Sequence, residues 1–263
     1  VGYRVLAPEI ESIKQLTINP NQIESITDII HTLVNDAELV PMGRVGVLAP
    51  SFSGGMCISA ASSPKLKERV SAICTIGAFT EVNSVMSYLL NDDSADLYGR
   101  FIVLKKIVPL VCEDHELFLD AIDAAIKDNL NDVDFDEFTN AYNCFLSSLS
   151  ELERKKVRRL FHDADYREQL YNASKELLTN EFNALDVANQ IENLSSNVFL
   201  LHGVNDRVIP CAQSKMLYLK LKHHKKKVDL VITPFISHGD IHFKFSQVFH
   251  VASLLRGFSR FFN

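Results

Sequence analysis

The sequence predicts an α/β protein, a mostly parallel sheet interrupted by a long helical insertion. Three observations carry this. Short, almost wholly apolar runs recur at residues 45–49, 70–76, 197–201 and 228–233, as expected of parallel strands covered on both faces. Segments of helical periodicity alternate with them. From about Asn83 to Asn193 the strand-like runs stop, and apolar residues recur at helical spacing alone.

Taken in order, residues 3–8 (Tyr-Arg-Val-Leu-Ala-Pro) read as a short buried strand. A helix follows Asn19-Pro20, because proline suits the first helical turn. Its apolar stripe is Ile23, Ile26, Ile30 and Leu33. Gly43 breaks the chain before the strand at 45–49. A turn and a helix over about 55–61 come next, then the strand at 70–76. Within the insertion, Phe118, Ile122 and Ile126 fall four apart, and Phe138, Tyr142, Phe145 and Leu149 form a second stripe. Ser150 with Glu153 makes a capping box that opens another helix. Strands return at 197–201 and 228–233, and a helix over 245–262 closes the sequence.

Composition narrows the function classes. The chain has 263 residues, 47% of them hydrophobic and 23% charged, with a net charge of −6. That is enough apolar residue for a sizeable core. The acidic balance gives no electrostatic reason to bind nucleic acid or an anionic membrane. The basic run at 223–227 (His-His-Lys-Lys-Lys) reads as a solvated loop. No apolar run reaches the roughly 20 residues that span a bilayer. The five cysteines are odd in number and form no C-x-x-C pair, so reduced, packed thiols are expected and a cytoplasmic location is favoured. The first residue is Val1 rather than Met, which leads to the expectation of a fragment or a processed chain, with any targeting signal upstream unread.

Three segments can carry chemistry. Residues 45–55 (Val-Gly-Val-Leu-Ala-Pro-Ser-Phe-Ser-Gly-Gly) combine a strand, a sharp turn and a helix, the setting of a nucleophile elbow centred on Ser51. Such a turn needs small residues two before and two after the serine. Ala49 and Ser53 meet that need, although glycines are commoner there. Gly54 and Gly55 let the helix pack close to the strand. Ser53 is the alternative apex. The second segment, residues 199–210 (Phe-Leu-Leu-His-Gly-Val-Asn-Asp-Arg-Val-Ile-Pro), puts Asp206 just past the carboxyl end of a strand, where open parallel sheets place their sites. The third, residues 229–240, ends in Ile-Ser-His-Gly-Asp and puts His238 on the loop after the last strand, with His242 as an alternative.

These segments resemble the α/β-hydrolases. The order serine, acid, histidine matches that superfamily. The resemblance implies a sheet of the α/β-hydrolase type, with core segments 1–82 and 194–263 and an inserted helical cap at 83–193. It implies Ser51 as nucleophile, Asp206 as acid and His238 as base in a serine hydrolase of the esterase type. It also implies the Phe52 N–H as one oxyanion donor, a small-molecule acyl substrate, and no cofactor or metal. Phe101, Leu104 and Val108 are expected to line a pocket over Ser51. In this superfamily a further strand lies between the one resembling residues 3–8 and the nucleophile strand, so an upstream segment is expected to supply it together with a second oxyanion donor. Without that segment the chain is expected to be unstable and poorly active.

The rivals are a non-catalytic binding protein on the same fold and an acyltransferase. Two metal arrangements also arise. His238, Asp240 and His242 lie close in sequence but lack a helical H-E-x-x-H pattern. Asp132, Asp134 and Asp136 mimic the start of a calcium loop, but Glu137 stands where glycine is needed and Asn143 where the closing glutamate is needed.

Overall fold

The computed structural model describes residues 2–14, 17–129, 141–237, 255, 257–259 and 261. They divide into two compact units, residues 1–82 with 181–263 and residues 83–180. Along the chain come α1 (Glu11–Lys14), α2 (Asn21–Asn35), β1 (Val45–Pro50), α3 (Ser51–Ala61) and β2 (Val70–Ile76). Then follow α4 (Val82–Asn91), α5 (Leu97–Val111), α6 (His115–Asn129), α7 (Ala141–Ser148), α8 (Glu151–His162) and α9 (Ala164–Leu185). The chain returns to strand at β3 (Asn197–Gly203), followed by α10 (Ala212–His223) and β4 (Val228–Thr233).

The four strands form one sheet in the order β1-β2-β3-β4, every pair parallel. This is the parallel α/β architecture that the four apolar runs predict. The register aligns Pro50 with Ile76, Ile76 with Leu201, and Gly203 with Thr233. All four carboxyl ends therefore open at one level. β3 is buried along nearly its whole length, whereas β1 alternates, with Leu48 52% exposed. On the sheet, Cys74, Phe199 and Leu201 form a buried cluster joined by Ile76, Val231, Ile236, Phe258 and Phe261.

Residues 3–8 do not form the expected strand. Tyr3 and Val5 are exposed, and Arg4 instead donates to the carbonyls of Glu38 at 2.7 Å and Leu39 at 3.2 Å. A short apolar run becomes a strand only where a neighbour pairs its backbone groups, and here one side chain anchors the segment instead. Most of the helix expected over 245–262 lies outside the described residues. Those of its residues that are described are helical, and Phe258 meets Phe199 edge-on at 5.4 Å.

Among its described residues, the second unit has helices joined by short turns and no strand. The Ser150–Glu153 capping box forms, with the Glu153 N–H 3.4 Å from Ser150 Oγ and the Ser150 N–H 2.8 Å from Glu153 Oε2. Such a cap is worth about 1 kcal/mol. Phe118, Ile122 and Ile126 are buried as their spacing requires. Phe101, Leu104 and Val108 are buried, and the Phe101 and Phe161 rings meet at a tilt of 44° with centroids 5.3 Å apart. Two buried guanidiniums bond to the carbonyls that helix ends leave unpaired. Arg100 reaches Leu89 O at 2.8 Å, and Arg167 reaches Leu90 O at 2.7 Å and Phe161 O at 2.8 Å. Burial, and then the nearby Arg100, lower Arg167 to about 10, so it stays cationic at neutral pH.

All five cysteines are free, as their number and spacing predict. Burial pushes the Cys57 and Cys74 thiols up to about 12, which makes them unreactive packing groups. Among the described residues no helix is long and apolar enough to cross a membrane.

Candidate active site

β1 delivers Ser51 to the site. Pro50 is still extended, with φ −86° and ψ 158°, and Ser51 then takes φ +56° as α3 begins. A left-handed residue with a Cβ costs roughly 1–2 kcal/mol, and such strain clusters at functional positions. One strained residue completes the turn, so α3 starts at Ser51 and not at about residue 55, where the sequence places it. The small neighbours act as their spacing suggests. Ala49 is buried beneath the turn. A Cβ on Gly54 would come within 3.1 Å of Ala49 O and of Thr75 Cβ, and one on Gly55 would strike the Phe79 ring at 2.5 Å. Only glycines let the helix sit this close to β1 and β2.

The two serines of the elbow are therefore distinct. Ser53 Oγ donates to Pro50 O at 2.5 Å, which commits its hydroxyl to bracing the turn. Ser51 holds the left-handed position and is half-buried. The Phe52 N–H lies in the first turn of α3, where N–H groups lack intrahelical acceptors. The Phe52 ring packs on Phe79 at 5.2 Å.

Asp206 lies three residues beyond β3 and is buried. Its Oδ1 accepts from the N–H groups of Val208 and Ile209, both at 2.9 Å. These bonds close the loop on itself; the next helix, α10, begins only at Ala212 and is not capped by Asp206. Asp206 Oδ2 lies 3.4 Å from His202 Nε2. Ser51 and Asp206 thus rise from strands on either side of β2, about 10 Å apart at two inter-strand spacings.

His238, His242 and Asp240 lie outside the described residues, as do Asp132, Asp134 and Asp136. Before His238, the loop after β4 is described as far as Ser237. A Cβ on Gly203 would fall 2.0 Å from Ile236 O and 2.9 Å from the Ile236 carbonyl carbon. At Ile236 the loop after β4 therefore crosses directly over the end of β3, beside the start of the Asp206 loop, two residues before position 238.

Sequence reasoning passed over His202, although the His-Gly pair closing β3 was visible. The structure also joins the exit of β2 to α10. Gln213 Oε1 accepts from the N–H groups of Thr80 at 2.9 Å and Glu81 at 3.0 Å, and Thr80 Oγ1 donates to Gln213 O at 2.6 Å. A cavity of about 450 Å³, lined by Ala72, Asn197, Lys227, Val228 and Phe261 among others, opens at the amino ends of β2–β4, the end of the sheet opposite Ser51.

The prolyl oligopeptidase family model matches residues 140–258, which include Asp206 and His238. No curated protein matches the chain. Among solved structures, the acylaminoacyl peptidase of Pyrococcus horikoshii is 16% identical with a TM-score of 0.46, over 94% of this chain and 28% of that one. The dipeptidyl peptidase 4 of Porphyromonas gingivalis is 11% identical with a TM-score of 0.45, over 89% of this chain and 22% of that one. The meta-cleavage product hydrolase of Pseudomonas fluorescens is 15% identical with a TM-score of 0.39, over 93% and 73%. The chain thus spans between a quarter and a third of the length of the acylaminoacyl peptidase it resembles. A parallel sheet that turns into a helix at a left-handed serine, and a family match that runs through the strands following the helical insertion, give this chain a fold of the α/β-hydrolase type.

Proposed function

We propose that this protein is a serine hydrolase that cleaves an acyl bond through Ser51, His238 and Asp206. The observation that carries the reading is Ser51 at φ +56° between β1 and α3. A strained serine at the carboxyl edge of a parallel sheet is an expensive feature with no packing purpose of its own. His238 takes the Ser51 proton as the serine attacks the acyl carbonyl, because a hydroxyl at neutral pH is a weak nucleophile. Asp206 holds the imidazole in one tautomer and stabilises the imidazolium that forms. The Phe52 N–H donates to the developing oxyanion. His238 then protonates the leaving group, and water, deprotonated by the same imidazole, releases the acyl-enzyme. Substrate choice is assigned to the helical insertion at 83–193.

The first expectation from the sequence was a carboxylic ester. The prolyl oligopeptidase family match widens the class to include peptide amides. The test presents p-nitrophenyl acyl esters and acyl-peptidyl p-nitroanilides to the protein, before and after treatment with a fluorophosphonate. The expected result is turnover of at least one class, abolished once one equivalent of fluorophosphonate has bound. Binding of these compounds without turnover or covalent labelling would contradict the proposal and leave a ligand-binding protein. Transfer of the acyl group to an added amine in preference to water would make it an acyltransferase.

A further inference from the structure

We infer that His202 is a positioning residue for Asp206, an imidazole built into β3 to fix the shape of the acid loop. The inference rests on the reading of Asp206 as the acid partner of Ser51 and His238. His202 has no solvent exposure. A buried imidazole is costly unless both ring nitrogens are bonded, and both are. Nε2 lies 2.7 Å from Ile209 O. A carbonyl oxygen can only accept, so Nε2 carries a proton. Nε2 itself lies 3.4 Å from Asp206 Oδ2. Nδ1 lies 2.7 Å from Ser214 Oγ on α10 and, with the proton on Nε2, accepts from that hydroxyl.

Ile209 links the two side chains. Its N–H donates to Asp206 Oδ1 and its carbonyl accepts from His202, while Asp206 Oδ2 lies 3.4 Å from His202 Nε2. Both polar groups of Ile209 are thereby tied, and the acid loop is held on the imidazole. The plane of the carboxylate follows from these contacts, and it governs the direction in which Asp206 can hold an imidazole. On its other side, His202 is anchored to α10, its Nδ1 accepting from the Ser214 hydroxyl. A larger apolar residue would fill the space and hold none of this.

Ser214, His202 and Asp206 superficially imitate a catalytic serine, histidine and acid. Ser214 and His202 are fully buried, so no substrate carbonyl reaches Ser214 Oγ. Nε2 is also already given to Ile209 O. The trio is scaffolding.

The test compares the full chain with the variants His202→Leu, His202→Gln, Asp206→Asn and the double variant His202→Leu/Asp206→Asn, reading kcat and KM on one substrate and a thermal melt for each. Glutamine places its amide nitrogen where Nε2 stands. His202→Leu should lower kcat on the order of 10- to 100-fold with KM changed less than about threefold, the effect of misplacing a catalytic group. His202→Gln should recover to within about fivefold of the parent. In the Asp206→Asn background, His202→Leu should cost less than about twofold more, because its route of action is already gone. A glutamine variant as impaired as leucine, or a full additional loss in the double variant, would show a merely structural role. If His202→Leu fails to fold, His202→Gln alone decides the matter, and its failure to support turnover while folded overturns the proposal. Asp206→Asn with unchanged kcat would sink the acid assignment itself, whereas its collapse beside a fully active His202→Leu would sink the positioning role alone.

Discussion

Ser51→Ala is expected to lower kcat by about 10⁴- to 10⁶-fold, the range for loss of a hydrolase nucleophile, while the protein stays folded. The more telling variant is Ser51→Gly. Ser51 sits at φ +56°, and alanine there keeps the strain of a Cβ in the left-handed region. Glycine removes it, a relief of roughly 1–2 kcal/mol set against an extra entropy cost of about 0.5–1 kcal/mol. The net gain of up to about 1.5 kcal/mol should raise Tm by a few °C above that of Ser51→Ala, at roughly 2–4 °C per kcal/mol. A variant that is inactive yet more stable marks a residue whose conformation is held for function at the expense of stability. A Ser51→Gly melt below that of Ser51→Ala would mean that the turn is not strained. A Ser51→Ala enzyme with parental kcat would remove Ser51 from the mechanism. Both are read from one differential scan and one steady-state assay.

The second large effect is expected at Gly203. Its Cβ position lies 2.0 Å from Ile236 O, and both sides of that clash are backbone. Gly203→Ala must push the loop after β4 away from the end of β3 by more than 1 Å to restore ordinary contact. Overpacking of this kind costs about 1–3 kcal/mol. The displaced segment leads straight to His238, and a misplacement of about 1 Å can cost on the order of 100-fold in rate. The expected result is a lowered Tm together with a kcat reduced about 100-fold or more. A variant that loses stability but keeps kcat would show that the 235–237 segment does not place a catalytic group.

Much of this architecture was legible in the residues. The runs at 45–49, 70–76, 197–201 and 228–233 became β1 to β4, because length and apolar density mark a covered parallel strand. The Ser150–Glu153 pair signalled its helix start through local bonds alone. Residues 3–8 misled for the opposite reason. Val5 and Leu6 have strand-like composition, but only a paired neighbour makes a strand, and composition does not report one. The start of α3 at Ser51 was misjudged because nothing in the identity of a serine announces a positive φ. At the site, Ala49, Gly54 and Gly55 were readable as small residues with a steric purpose. The His202 ring was not, since Ile209 and Ser214 meet it only after β3 and α10 have assembled. The choice between ester and amide is likewise absent from the proposed elbow and acid loop, which would serve both chemistries alike.

The most direct test of the account is to map the fluorophosphonate adduct. The native chain, Asp206→Asn and His238→Ala are each treated with the probe, digested, and the modified residue and its rate of modification are measured by mass spectrometry. The account predicts a single adduct on Ser51 in the native chain, formed about 100-fold or more slowly in each variant, because Ser51 depends on the imidazole and its carboxylate for activation. An adduct on Ser53 or Ser214, or modification of Ser51 at an unchanged rate without His238, would contradict it.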